Sequence, residues 1–137
     1  MTSVFHLSIH VADLAAARAF YGGVLGCPEG RSAPSWVDYD FFGHQLSLHL
    51  GEAFSTADTG EVGAQMVPMP HFGVVLDRAA FDALAARLRR HGSAFVIEPM
   101  VRFAGQTGEQ ATMFFRDPSG NPIEVKSFAD QEGLYAR

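Results

Sequence analysis

The sequence predicts an α+β fold made of two tandem modules, each consisting of a strand, a helix and about three further strands. The prediction rests on an internal repeat and on the hydrophobic periodicity within each half. In both halves a strand that opens with histidine is followed by an aspartate suited to cap a helix and by a glycine suited to end it. These landmarks recur 64 to 66 residues apart, as His6 with His71, Asp13 with Asp77, and Gly26 with Gly92.

The first half begins with strict alternation of apolar and polar residues, which is typical of a strand with one buried face. Apolar residues then recur at helical spacing, after an aspartate whose carboxylate can accept the free amide groups of the first turn. The predicted elements are a strand over 5–11, a helix from Asp13 to Gly26, and strands over 36–42 and 45–50 joined by a turn at Gly43-His44.

The second half repeats this pattern after a stretch, 51–69, that lacks periodicity and contains turn-forming residues. We therefore expect module one over about 1–55, a linker over about 56–69 and module two over about 70–128. Because a module of about 60 residues buries only a modest core, the two should form a single domain. The predicted elements are a strand over 71–76, a helix from Asp77 to Gly92, a short strand over 95–97, and a hairpin of strands 111–115 and 122–128 around a turn over 117–121.

Composition narrows the range of functions. The formal net charge is -5 and the ten Lys and Arg residues are scattered, so we expect no nucleic-acid partner, which would need a basic patch. No apolar run is long enough for a membrane span, and the N-terminal segment does not resemble a secretion signal. The single cysteine cannot form an internal disulfide, which favours a reducing, cytoplasmic location.

Three residues on polar strand faces predict a metal site. His6 and His71 each open the first strand of a module, on the face opposite the apolar stripe. Glu124 lies in the last long strand, between Ile123 and Val125, which point to the core. Two imidazoles and one carboxylate form an arrangement that leaves open coordination positions and suits non-haem Fe(II). Each residue taken singly is equally compatible with a solvated strand position, and the repeated placement of the histidines favours the metal site.

Several motifs carry a family resemblance that covers nearly the whole chain. They are HLSIHVADL from His6, Phe20-Tyr21, Leu25-Gly26, PHFGV from Pro70, and DPSGNPIE from Asp117. With them the chain resembles the vicinal oxygen chelate superfamily, which includes glyoxalase I, bleomycin- and fosfomycin-resistance proteins and extradiol dioxygenases. The resemblance implies paired β-α-β-β-β modules whose mostly antiparallel sheets curl into a cup around a metal. It also implies that His6, His71 and Glu124 hold one divalent ion, with Fe(II) favoured and Mn, Zn or Ni as alternatives.

The resemblance implies an enzyme, and His49 favours an extradiol-type, Fe(II)-dependent dioxygenase acting on a small chelating substrate of the catechol kind. His49 is interpreted as the first-half counterpart of Glu124. Glyoxalases commonly place a glutamate ligand there, whereas a histidine can act as an acid-base catalyst near neutral pH, or be merely solvated. Phe114 departs from the extradiol pattern, which usually has a tyrosine about ten residues before the glutamate. The alternatives are a glyoxalase-like lyase or isomerase, and a resistance-type protein that binds a small molecule without catalysis.

Four further residues are candidates for substrate binding. His10 shares the strand face of His6, Trp36 and Phe114 can form aromatic walls, and Lys126 can hold an anionic group. Each has a structural alternative, as a core aromatic or a solvated polar residue. We also expect a homodimer, because open sheet edges and apolar surface are commonly covered by a twofold partner.

Overall fold

The structure, a computed structural model, describes residues 3–135, apart from the side chains at positions 131 and 132. Strands dominate this range and helices are few, which confirms the predicted α+β class. In chain order the elements are β1 (His6–Val11), α1 (Leu14–Arg18) with a π-helical segment (Ala19–Val24), β2 (Glu29–Ala33), β3 (Trp36–Phe41), β4 (His44–Leu50), β5 (Ala57–Val62), β6 (Gln65–Met69), β7 (Phe72–Val75), α2 (Arg78–Arg90), β8 (Phe95–Arg102), β9 (Gln110–Arg116), β10 (Pro122–Phe128) and a 3₁₀ helix (Gln131–Tyr135).

Two four-stranded sheets share one strand order, which confirms the tandem β-α-β-β-β modules. The orders are β1-β4-β3-β2 and β7-β10-β9-β8. In each sheet the first strand of the module pairs parallel with the last, and the other neighbours are antiparallel. Both sheets are open and not strongly curled, which corrects the curled cup that the resemblance implies.

The segment expected to be an irregular linker forms an antiparallel hairpin instead. β5 and β6 pair as a separate two-stranded sheet, with a register shift between Asp58 and Gly60. The shift and the mostly exposed side chains hide the period-two pattern, so the sequence does not reveal these strands. The chain divides into a first unit, residues 1–55 with the turn Asp117–Asn121, and a second unit, Thr56–Arg116 with the chain from Pro122 onward.

In the first unit, the apolar side of the sheet packs against a short helix. Asp13 caps α1 by accepting the amide of Ala16 at 3.0 Å, as predicted. Gly26 follows the π-helical segment with a φ of 74°, a conformation that costs glycine little. The buried apolar residues are Ile9, Val11, Ala17, Phe20, Tyr21, Val24, Leu25, Cys27, Val37, Tyr39, Phe41, Leu46 and Leu48.

Two predicted boundaries differ from the structure. Because Phe41 pairs with His44, the β3–β4 turn consists of Phe42 and Gly43, one residue earlier than expected. Both residues have positive φ, 52° and 94°, the geometry of a tight hairpin turn. β8 continues to Arg102, well past the predicted short strand, because it pairs with β9 across two register shifts.

The second unit buries one side of its sheet under α2 and part of the other under the β5–β6 hairpin. Asp77 caps α2 by accepting the amide of Ala80 at 2.8 Å, as predicted, and the helix buries Phe81, Leu84, Ala85 and Leu88. On the other side, Val67 of β6 forms a buried cluster with Ile97 and Phe114, with Val62 and Val96 packed around it. Within residues 3–135, no helix is both long and apolar enough to cross a bilayer.

The turn Asp117–Asn121 belongs to the first unit and is held there by a buried carboxylate. Asp117 Oδ1 accepts the backbone amides of Ser119 and Asn121, each at 2.9 Å. Its Oδ2 accepts the Tyr21 hydroxyl at 2.7 Å and the Asn121 side-chain amide at 2.9 Å. That amide also donates to the carbonyl of His10 at 2.9 Å, and the hydroxyl of Ser119 accepts the Ala12 amide. The turn is thereby tied to both β1 and the helical segment.

Tyr21 should make stability sensitive to alkaline pH. Burial, and then the neighbouring Asp117 carboxylate, raise the pKa of Tyr21 well above 10.0. The folded state therefore keeps the phenol proton at a pH at which the unfolded state loses it, so this contribution is complete below about pH 10 and lost above it. We expect the free energy of unfolding, measured in urea, to fall above pH 10 in the wild type. The fall should be smaller in Tyr21→Phe, which also loses about 1.5–3 kcal/mol at neutral pH.

The matched control for this prediction is Tyr135→Phe, because Tyr135 is 86% exposed. That variant should follow the wild-type curve throughout. An alkaline decline in Tyr21→Phe as steep as in the wild type would contradict the role given to the buried hydroxyl.

β7 and β10 approach each other closely at one glycine. Gly73 is paired in register with Glu124, and a Cβ built on Gly73 would overlap the backbone carbonyl group of Glu124. A backbone atom cannot move aside as a flexible side chain can. Only glycine therefore allows this strand pair to form as it does.

We expect Gly73→Ala to lower the free energy of unfolding by about 3 kcal/mol or more, because the new methyl group forces the strands apart. The control is Gly23→Ala in the π-helical segment, where, apart from adjacent residues and the backbone of the same helix, no atom would lie within 4 Å of the added Cβ. That change should leave stability unchanged or raise it by up to about 1 kcal/mol. Urea unfolding measures both, and equal stabilities for the two variants would refute the close approach.

Candidate metal and substrate site

The polar face of the first sheet carries three of the predicted site histidines. Strand pairing places side chains in rows, because residues in register on neighbouring strands point to the same side. From β1 through β4 to β3 the rows are His6, Gln45 and Asp40; then Ser8, Ser47 and Asp38; then His10, His49 and Trp36. His6, His10, His49 and Trp36 therefore share one face, as the alternation predicts.

Contacts within these rows show which groups are already engaged. Ser47 donates to Asp38 Oδ1 at 2.6 Å, which fixes that hydroxyl. His6 Nε2 lies 3.2 Å from the hydroxyl of Ser8. The rings of His49 and Trp36 are tilted by 33°, with centroids 6.4 Å apart. Among residues 3–135, no hydrogen-bond partner of the His49 ring is found.

His49 is not the counterpart of Glu124 in strand register, which corrects the sequence interpretation. Glu124 pairs with Gly73, two residues after His71, whereas the residue that pairs with Ser8, two residues after His6, is Ser47. His49 lies one row further along the same face, about 7 Å away. Alternation keeps residues two apart on the same face, so the sequence alone did not distinguish these positions.

An open groove of about 500 Å³ lies on the β3–β4 hairpin of the first unit. Charged and hydrogen-bonding groups line it, several of which already bind one another. Asp40 accepts the amide of Gly43 at 2.7 Å, and Asp38 accepts from Gln45 at 3.4 Å. The polar lining residues are Arg31, Asp38, Tyr39, Asp40, His44 and Gln45.

In the second unit, the structure brings His71 and Glu124 together. His71 Nε2 lies 3.3 Å from Glu124 Oε1. Glu124 is only 8% exposed, although it occupies the polar face that the alternation predicts. The register explains the meeting, because His71 precedes Gly73 by two residues and Gly73 is the partner of Glu124 in the parallel pair.

The other nitrogen of His71 defines the state of the ring. Nδ1 lies 2.8 Å from the carbonyl oxygen of Pro68. A carbonyl oxygen only accepts, so Nδ1 carries the proton. In the neutral ring, Nε2 then presents a lone pair to a carboxylate oxygen, an arrangement that needs a cation or an added proton between the two atoms.

Two further groups surround the Glu124 carboxylate. Thr112, on β9, donates its hydroxyl to Oε2 at 3.1 Å. The Lys126 ammonium lies 3.8 Å from Oε1, with a side chain 39% exposed. One carboxylate oxygen is thus held by a hydroxyl, and the other faces His71 and a partly exposed positive charge.

Phe114, predicted as a substrate-binding wall, has surroundings that do not fit that role. Its side chain is fully buried in the cluster with Val67 and Ile97, under the β5–β6 hairpin. Its ring meets the His71 ring edge to face, with centroids 4.9 Å apart. The hairpin covers Phe114, and its ring packs against that of His71.

The donor set around His71 and Glu124 fits a divalent metal ion. Two ligand atoms about 2.1 Å from one ion, at tetrahedral or octahedral angles, are separated by about 3.0–3.4 Å, which matches the observed 3.3 Å. A metal-bound imidazole usually donates its second N–H to a carbonyl or carboxylate, as His71 does to Pro68. Within residues 3–135, no group of three or more His, Cys, Asp or Glu side chains is arranged to hold a metal. His6 lies on the polar face of the first unit.

Comparison with known proteins identifies the family of the chain. The family model described as Glyoxalase/Bleomycin resistance protein/Dioxygenase superfamily matches residues 3–125. The chain belongs to this superfamily. A search of curated proteins finds no match. A solved superfamily member described as a glyoxalase/bleomycin resistance protein/dioxygenase, from Alicyclobacillus acidocaldarius, is 36% identical with a TM-score of 0.79, covering 98% of this chain and 97% of that one.

Two more distant members of the superfamily share the fold. The fosfomycin resistance protein FosX from Listeria monocytogenes is 16% identical with a TM-score of 0.69, covering 97% of this chain and 98% of that one. A lactoylglutathione lyase from Agrobacterium tumefaciens is 20% identical with a TM-score of 0.64, covering 100% and 98%. The resemblance inferred from the motifs is therefore confirmed at the level of the superfamily.

Two groups that form hydrogen bonds with His71 and Glu124 were not predicted from the sequence. Thr112 shares a strand face with Phe114, and a hydroxyl in an otherwise apolar strand was the available signal. Nothing in the sequence indicated the contact of the Pro68 carbonyl, because this backbone group belongs to a hairpin that was not predicted.

We expect the neutral His71 ring to be the Nδ1–H tautomer, because Pro68 accepts from Nδ1. His44 is the internal control, because its Nδ1 accepts the amide of Phe5 at 3.1 Å, so its neutral ring must carry the proton on Nε2. Long-range ¹H–¹⁵N correlation spectra of metal-free protein at alkaline pH separate the two tautomers. The same tautomer at both histidines would contradict the geometry at one of them.

Proposed function

We propose that this superfamily member is a metal-dependent enzyme in which His6, His71 and Glu124 bind one divalent ion, with Fe(II) favoured. The observation that carries the proposal is the meeting of His71 Nε2 and the buried Glu124 Oε1 at 3.3 Å, with the Nδ1 proton given to Pro68. His6 is included because it is the repeat counterpart of His71 on a polar strand face. We also propose that the protein is a cytoplasmic homodimer and acts on a small-molecule substrate.

We propose extradiol-type cleavage of a catechol-like diol as the reaction. His6, His71 and Glu124 would hold the ion, which would supply Lewis-acid and oxygen-binding chemistry for the diol. His49 accepts a hydroxyl proton from the diol on a ring nitrogen and returns it later in the reaction. Trp36, beside His49, offers an aromatic face to the ring of the substrate, while His10 and Lys126 offer contacts to its polar groups.

The register of the first sheet favours this reaction over a glyoxalase-like one. The position that corresponds to Glu124 is occupied by Ser47, which carries a hydroxyl in place of a carboxylate and donates it to Asp38 in the same row. His49 lies one row further along the same face, beside Trp36, and we propose that it serves the substrate and is not a ligand. The names of the solved relatives, which include a lyase and a resistance protein, keep lyase, isomerase and binding-only activity as the alternatives to be tested.

The test begins with metal content and then measures turnover. Wild-type protein reconstituted anaerobically with Fe(II) should retain about one ion per chain, His71→Ala much less, and the α2 C-cap variant His91→Ala as much as the wild type. Oxygen uptake is then recorded over a panel of catechols. His49→Ala should keep its metal and lose about 10²- to 10⁴-fold in kcat, because it lacks the acid-base group.

Each alternative has a distinct signature in these assays. Equal metal retention in the wild type and His71→Ala would overturn the metal site. Turnover of a glutathione hemithioacetal without oxygen uptake on any diol would place the protein among the lyases. Full oxygen uptake by His49→Ala would leave the oxygenase proposal standing and remove the role given to His49.

A further inference from the structure

A buried hydroxyl on β9 donates a hydrogen bond to the carboxylate of Glu124. Thr112 is 1% exposed and lies beside Lys126 in the β9–β10 pair. Its hydroxyl donates to Glu124 Oε2 at 3.1 Å, on the side of the carboxylate away from the His71 contact. The Thr112 side chain is β-branched and fully enclosed, so its rotamer has little freedom.

Burial alone does not explain this contact. Ser127, three residues after Glu124, is also a buried strand hydroxyl, only 2% exposed, and within residues 3–135 its oxygen has no hydrogen-bond partner. A hydroxyl can therefore be enclosed in this sheet without binding a carboxylate. Thr112 differs because its side chain lies on the same face of the sheet as Glu124. There its hydroxyl contacts a carboxylate whose other oxygen lies beside His71.

The two oxygens of Glu124 consequently have different roles. Oε2 is engaged by Thr112, whereas Oε1 faces His71 Nε2 at 3.3 Å and the Lys126 ammonium at 3.8 Å. Without the hydroxyl, the carboxylate can turn about its terminal bond, for which rotation is broad and weakly restrained. Either oxygen, or neither, would then lie beside His71.

We infer that Thr112 is a positioning residue that presents Glu124 Oε1 alone, next to His71 Nε2, as a single-oxygen metal ligand. The inference rests on the proposed metal site and adds a residue that acts through Glu124. Groups that orient a ligating carboxylate typically contribute 10- to 100-fold to metal affinity. Thr112 therefore sets metal affinity and coordination, while its contribution to folding is separable.

The experiment titrates metal-free protein with Co(II) alone and follows the visible absorbance, which reports both affinity and coordination geometry. Thr112→Val keeps the shape and removes the donor, so Co(II) affinity should fall about 10- to 100-fold with a changed spectrum. Thr112→Ser keeps the donor and should bind within a few-fold of the wild type, whereas Thr112→Ala should match Thr112→Val. Ser127→Ala is the control and should bind as the wild type does.

The Ser and Ala variants both lack the methyl group, so their comparison isolates the hydroxyl even where packing suffers. Thermal unfolding of each metal-free variant measures the structural cost separately. Equal Co(II) affinity and spectra for Thr112→Ser and Thr112→Ala would overturn the inference. The proposed metal site would still stand after that result if His71→Ala binds Co(II) more weakly than the wild type does. A wild type that binds no Co(II) would overturn both the inference and the metal site.

Discussion

The Glu124 carboxylate, held out of water beside His71, is the interaction around which the second unit is arranged. Removing a carboxylate from water costs several kcal/mol unless donors or positive charge compensate. Thr112 and Lys126 supply part of that compensation, and His71 contributes fully only with a cation or proton at Nε2. The close β7–β10 pairing at Gly73 brings these groups together. The site and the strand pairing therefore depend on each other.

The hairpin β5–β6 completes this arrangement on the same face of the sheet as Glu124. Its buried Val67 packs on Phe114, which in turn meets the His71 ring, and Pro68 fixes the ring proton on Nδ1. A segment whose sequence predicted an irregular linker thus orients His71, a predicted metal ligand. Such second contacts usually decide the tautomer and direction of a metal-bound imidazole.

The repeat carries different chemistry in its two halves. The polar face of the first unit holds His6, His10 and His49 with a Ser47–Asp38 pair, and that of the second holds a buried carboxylate with its donors. The row that contains Glu124 in one unit contains Ser47 in the other. A duplicated fold therefore does not imply two polar faces with the same chemical groups.

The sequence by itself determined the repeated modules, the caps at Asp13 and Asp77, and which residues share a strand face, because these follow from local periodicity and short-range hydrogen bonding. It also predicted a metal site of His6, His71 and Glu124, of which His71 and Glu124 lie 3.3 Å apart. Only the tertiary structure decided the register that separates Ser47 from His49, the hairpin over Phe114, and the contacts of Thr112 and Pro68. A period of two fixes the face of a residue but not its position along the partner strand. Long-range pairing fixes that position, and it depends on residues far apart in the chain.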